Sequence, residues 1–245
     1  MSDTSFVSGW AGVLEALYNR LEKSERSRSL YWEEELANFS IDTNGVVTGM
    51  NSMGTVSRKR SPAHLAAMWI LLIPFRLMGW RYRRFGRHMA NGYYISRKHG
   101  RLLTHDALRQ VLVISLIDHY LPIDEQEGCN FIIGDGYGFL TALFLSASPH
   151  KKTIACNLSK SLLLDLLQVR QSHPDIGTAL ATTPSEMRAA LADDTVGLIA
   201  VPADHAVVAM EAPLGIATNV HSMMEMDLDV IAAYFEILRR NQSQC

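Results

Sequence analysis

The feature that most constrains this chain begins after residue 128. Short apolar runs that do not alternate with polar residues, "NFIIG", "TIACN", "VGLIAVP" and "PLGIATNV", are separated by segments of helical character. Those segments are "FLTALFLSA", "SKSLLLDLLQVRQ", "PSEMRAALAD" and "DLDVIAAYFEILRR", the last opened by Asp227 as its cap. A strand apolar on both faces has to be covered on both faces, and a parallel strand needs a helical crossover to reach the next one. The expectation is an α/β fold, a mostly parallel sheet with helices on both faces, preceded by a helical region. The change of rhythm at Pro122 divides the chain into residues 1–122 and 123–245.

The first part reads as helices. Trp10, Val13, Leu14, Leu17 and Leu21, then Leu30, Tyr31 and Leu36, recur at helical spacing. A turn-rich stretch follows, with a short hairpin expected around Asn44-Gly45. Ser61 and Pro62 form a helix start. The apolar run from Leu65 to Phe75 is too short to span a membrane, which takes about 20 residues. Flanked by arginines and Trp80, it suits either a buried helix, which its length favours, or a peripheral contact of residues 57–87 with an anionic membrane. Thr104 is expected to cap a helix carrying Leu108, Val111, Leu112, Ser115, Leu116 and His119, ended by Pro122.

Net charge is −2 overall but divides unevenly, about +3 for residues 1–127 and −5 for the remainder. No acidic residue lies between Asp42 and Asp106, an interval holding eleven lysines and arginines. Such a stretch attracts anions unless the acidic half neutralises it. No stacking or groove-reading motif accompanies it, so nucleic acid is not an expected partner. Cys129, Cys156 and Cys245 show neither metal-ligand spacing nor a disulfide framework, and Cys129 and Cys156 read as small buried hydrophobes. The start lacks the features of a secretory signal, so a cytoplasmic protein is expected. The nine histidines form no ligand pair, and no metal site is expected.

Between the first strand and its helix stand Gly134, Gly136 and Gly138. They permit a tight strand-to-helix turn, or leave the backbone bare for a ligand. In a sheet of this kind the ligand sits beyond the carboxyl ends of the strands, where strand order reverses. The helix behind the turn offers free N–H groups to an anion. Asn157, about 20 residues on, stands where nucleotide folds place a ribose-gripping group; it can also cap the next helix.

Ile133-Gly134-Asp135-Gly136-Tyr137-Gly138, then Asn219, Ser222, Glu225 and Met226, then Tyr234 and Phe235, resemble the core of class I S-adenosylmethionine-dependent methyltransferases, and more narrowly the sugar O-methyltransferase group. The resemblance runs over about residues 88–241. It implies a Rossmann-like sheet, S-adenosyl-L-methionine as cofactor, and methyl transfer to a hydroxyl of a small-molecule sugar or glycoconjugate acceptor. Gly134, Asp135, Gly136, Tyr137 and Gly138 would line the cofactor and Asn157 would face its ribose. Ile132 and Asn157 replace acidic residues usual in the family, and the chain stops one helix after the last strand, so the sheet is expected to be shorter at that edge. These departures leave open a second reading, a methyltransferase-like binding or scaffold module.

Methyl transfer to a hydroxyl needs a base, and His221 and Glu225, just beyond the last strand, are the candidates. Asp204 and His205 follow another strand and can reach adenine or substrate, or form a surface turn. Asp106 reads as first-turn helix chemistry. Tyr93 and Tyr94 suit sugar stacking or helix packing.

Overall fold

Strand register builds the sheet as the apolar runs require. The computed structural model describes residues 6–21, 40–41, 47–48, 66 and 69–242. Two strands, β1 (Ser40–Ile41) and β2 (Val47–Thr48), pair antiparallel as the expected hairpin; its turn lies outside the described residues. The main sheet comprises β3 (Cys129–Ile133), β4 (Thr153–Asn157), β5 (Gly177–Leu180), β6 (Val196–Pro202) and β7 (Leu214–Asn219). Their order is β5-β6-β4-β3-β7 and every pairing is parallel. All five residues of β3 and of β4 are buried, as strands covered on both faces must be.

Side chains alternate between two cores. Ile132, Ala155, Leu198 and Ala200 point to one face, where α1 (Trp10–Tyr18), α3 (Phe85–Lys98), α4 (His105–Tyr120), α5 (Phe139–Ala147) and α6 (Ser159–Ser172) supply Leu17, Ile95, Val111, Leu143 and Leu166. Phe131, Ile133, Ile154 and Ile199 point to the other, covered by α7 (Pro184–Ala192), a 3-10 helix (Ala203–Glu211) and α8 (Leu228–Gln242) through Met187, Val208, Tyr234 and Ile237. The architecture is α/β and Rossmann-like with a helical N-terminal region. The boundary at 122/123 coincides with the end of α4, yet both sides share one core.

Several local readings are borne out. Thr104 Oγ1 caps α4 by accepting from the Ala107 amide at 3.3 Å. Cys129 and Cys156 are buried and unpaired. Of the Tyr-Phe pair only Tyr234 turns inward, 3.4 Å from Cys156 Sγ, while Phe235 is exposed. The strand β5 and the 3-10 helix were not expected: "GTAL" is short and carries one β-branched residue. The outer edge of β5 is covered by the start of the chain, with Leu180 N donating to Val7 O at 3.0 Å and Gly9 N to Thr178 O at 2.7 Å. The helix start at Ser61-Pro62 and the apolar positions Leu30, Tyr31 and Leu36 lie outside the described residues.

One expectation is corrected. Among its described residues the apolar run does not form a buried helix. Around α2 (Ile73–Gly79) only Leu72 and Gly79 are buried and Phe75 packs on His105, while Trp69, Ile70, Leu71, Leu77, Met78 and Trp80 are exposed. The helix meets α4 and the side chains of Phe85 and Tyr93 on α3, and its other face is left open.

Helices α3 and α4 are tied by a buried network. His88 Nε2 lies 2.8 Å from Asp118 Oδ2, and Asp118 Oδ1 accepts from the Ile123 amide at 3.0 Å and from Arg84 at 3.3 Å. Burial lowers the His88 pKa, and Asp118 opposes that shift. Replacing Asp118 by alanine leaves Arg84 half-paired and the His88 ring without its partner. We expect about 1–3 kcal/mol of stability to be lost, read from the denaturant midpoint.

Candidate active site at the strand switch

The chain runs from β3 outward through β4 to β5, turns back to β6, and crosses to β7 on the far side of β3. The order therefore reverses between β3 and β7, and their carboxyl ends open a crevice. A side-chain clasp closes its floor. Asn219 Nδ2 and Ser222 Oγ both donate to the Ile133 carbonyl, at 2.9 and 3.1 Å, and are bonded to each other. Asn219 Oδ1 accepts from the Met223 amide at 3.2 Å, which starts the next turn. The spacing of Asn219 and Ser222 is the spacing this clasp needs.

The clasp also accounts for the first glycine. Gly134 has φ +66°, and a Cβ there would collide with Ser222 Oγ. Gly138, at the same φ, would collide with the Asp165 carbonyl, so its bareness lets α5 approach α6. These two glycines serve the turn and its packing; Gly136, at φ +86°, completes the turn.

The start of α5 is not free for an anion. Asp135 is turned inward and accepts from the amides of Leu140 at 3.1 Å and Thr141 at 2.6 Å. It thereby fills the place a ligand anion would take. Burial raises its pKa, and the amides of Thr141, Leu140 and Phe139 oppose the rise. A second carboxyl, Asp165, lies beneath the turn. Burial and the Asp135 charge push it well above the usual carboxylate range, against the hydrogen bond from Asn157 and the amides of Gly138 and Gly136. Asn157 Nδ2 donates to Asp165 Oδ2 at 2.8 Å, and Asn157 Oδ1 accepts from the Leu158 amide at 2.9 Å. Asn157 is thus spent on the protein interior.

Above the clasp the cleft has three walls. Gly134, Asp135, Gly136 and Tyr137 form one; Val220, His221, Ser222 and Glu225 form the second. The third comes from the helical region: Ser96, His99, Arg101 and Leu102 at the end of α3, and Thr104, Asp106, Ala107, Arg109 and Gln110 at the start of α4. The cavity volume is about 120 Å³. Arg109 bridges the walls, 3.1 Å from His221 Nε2 and 3.5 Å from Asp106. His221 sits in the left-handed region at φ +72°, which holds it at the cleft mouth.

The cleft carries unanswered polarity. His99 Nε2, Arg109 Nε and Gln110 Oε1 are buried without a hydrogen-bond partner. Burial and the nearby Arg101 lower the His99 pKa to about 4, so the ring is neutral at physiological pH. Arg101 is half-buried, its pKa lowered by burial, and the one group that opposes the shift is Tyr137. Among the described residues no carboxylate pairs with it. Orphaned buried groups of this kind cost stability unless something answers them.

The structure brings Gly134, Asp135, Gly136, Tyr137, His221 and Glu225 together in the cleft. Gly138 and Asn157 lie beneath the turn, and Asp204 is exposed on the 3-10 helix after β6, two strands away. His205 is beside it, 3.3 Å from Arg20. Asp106 is in the first turn of α4, as expected, and also lines the cleft. Arg101, His99, Arg109 and Gln110 carry no motif; a lone arginine between two helices, just ahead of a threonine cap, was the signal available.

The Asp165 assignment fixes a pH effect. A carboxyl whose pKa is raised on folding binds a proton that the unfolded chain releases near pH 3.9. Stability therefore falls as pH rises from there toward the folded pKa. Asp165→Asn keeps an acceptor for Asn157 and removes the titration. Its melting temperature should exceed the wild type's at pH 8 and the gap should narrow at pH 5; parallel profiles would show Asp165 to be an ordinary ionised carboxylate.

No protein-family model matches this chain, and no curated protein or solved structure is similar to it at a significant level.

Proposed function

We propose that the cleft binds S-adenosyl-L-methionine and that the protein transfers its methyl group to a hydroxyl of a sugar or glycoconjugate. The observation that carries the reading is the convergence, at the strand switch, of the glycine turn with Asn219, Ser222 and Glu225 around Arg101 and three orphaned polar atoms. A half-buried arginine without a carboxylate partner suits the carboxylate of an amino-acid ligand. His99 Nε2 and Gln110 Oε1 suit its polar groups. When bound, the cofactor supplies an electrophilic methyl group on sulfur. Arg101 and the turn hold its amino-acid end, and Glu225 stands on the opposite wall, where a carboxylate can accept the proton of the attacking hydroxyl. His221 can share that task once its Nε2 leaves Arg109. The 120 Å³ cavity is smaller than the roughly 300–1,000 Å³ of ordinary small-molecule sites. Binding therefore requires the Arg109–His221 bridge to part.

A second reading, a binding module without catalysis, has its own support in Asn157, which is bonded inward to Asp165 and does not line the cleft. Titration calorimetry separates the two. We expect micromolar binding of S-adenosylmethionine, weakened about ten- to a hundredfold by Arg101→Met, which removes a charge-assisted contact. No heat at millimolar cofactor would rule out the methyltransferase reading.

A further inference from the structure

The exposed apolar helix asks for a partner that the cleft does not provide. From residue 69 to 80, six large apolar side chains are between 51 % (Met78) and 76 % (Trp80) exposed. Ile70 and Leu71 precede the turn at Leu72, and Leu77 and Met78 follow it on α2, with Trp69 and Trp80 at the two ends of this exposed stripe. A contiguous patch of this kind marks an interaction surface.

What surrounds the patch fixes the kind of partner. Arg81, Arg83 and Arg87 follow it directly and are exposed. Nearby Asp118 and Asp124 are both held by Arg84. The rim is therefore cationic, and no acidic residue interrupts it from residue 43 to 105. Beside the stripe lies an open cavity of about 410 Å³, walled by Arg76, Trp80, Tyr82, Arg84, Met89 and Tyr93. Arg76 is steadied there by the Tyr93 hydroxyl at 2.5 Å and by the Trp69 ring at 5.0 Å, while its Nε is buried without a partner.

We propose that this face docks on an anionic phospholipid bilayer. Ile70, Leu77 and Met78 enter the boundary between headgroups and acyl chains, Trp69 and Trp80 lie at headgroup level, and a lipid phosphate meets Arg76 in the cavity. Aromatic ends, an apolar stripe and arginines together are what an interfacial helix uses. Among the described residues no helix is long and apolar enough to cross a membrane, so the contact lies on the surface. The attraction combines burial of the stripe with the negative potential of an anionic leaflet. A protein partner with an acidic groove would satisfy the charges but gives no role to tryptophans at both ends of the stripe.

Co-sedimentation tests this, using the full chain with phosphatidylcholine vesicles with and without phosphatidylglycerol. The wild type should pellet with the anionic vesicles, stay in solution with the neutral ones, and be released by high salt. Arg81→Ser, Arg83→Ser and Arg87→Ser together should weaken binding by on the order of a hundredfold. Among the described residues none of the three forms an ion pair, although Arg87 lies in the field of Asp124 and donates to the Ala147 carbonyl. Leu77→Ser with Met78→Ser should also weaken it, while Arg188→Ser with Arg239→Ser, cations on the helices that cover the other face of the sheet, should change it little. Circular dichroism of each variant checks that the fold is kept. Failure of the wild type to bind anionic vesicles would overturn the proposal. So would self-association of the wild type that the Leu77 and Met78 changes abolish, since a second copy would then be the occupant.

Discussion

The Ile133 carbonyl organises this molecule. It ends the interior strand β3, and instead of facing solvent it accepts from Asn219 and Ser222, which end and follow the strand beside it. A strand-end carbonyl left unpaired in a protein interior costs about 1–3 kcal/mol, so the clasp is strongly specified. It sets the depth of the crevice and requires glycine at 134. It also starts the turn that brings His221 and Glu225 to the opposite wall. Glycine turn and Asn-Ser pair, distant in sequence, are two halves of one junction.

Beneath that junction the acid balance is unusual. Asp135 serves the amides of α5, and Asp165 lies within its field, which opposes ionisation of both together. The helix start that would ordinarily receive an anionic ligand is satisfied from within. In the proposed reading, recognition of an anionic group in the cleft falls to Arg101, supplied by the N-terminal helical region. This gives those helices a role in the site beyond covering one face of the sheet. It also relates the two cationic features of the chain: Arg101 points inward at the cleft, whereas Arg81, Arg83 and Arg87 face solvent beside an apolar stripe.

Much of the frame was legible because it depends on local chemistry. Apolar runs without alternation announced a parallel sheet, Thr104 its helix, and the glycines a strand-to-helix turn. The short strand "GTAL" was not legible, because it owes its state to pairing with β6 and to cover from residues 6–9. The exposure of residues 69–80 was not legible either. An apolar run shows that burial is favourable, but whether a neighbour exists to bury it is decided by distant elements.

At the site the division is sharper. Sequence alone determined the residue types at the carboxyl ends of β3 and β7: three glycines, an Asn-Ser pair, a histidine and a glutamate, because turns and strand ends are written in neighbouring residues. Tertiary structure decided which of these face the cleft. Asn157 looks like a ribose group along the chain, yet in space it answers Asp165. Arg101 looks like one cation among many, yet it is the one placed in the cleft without a carboxylate. Directions and partners arise from packing between residues tens of positions apart, and the cost of leaving a buried polar atom unanswered acts only once that packing exists.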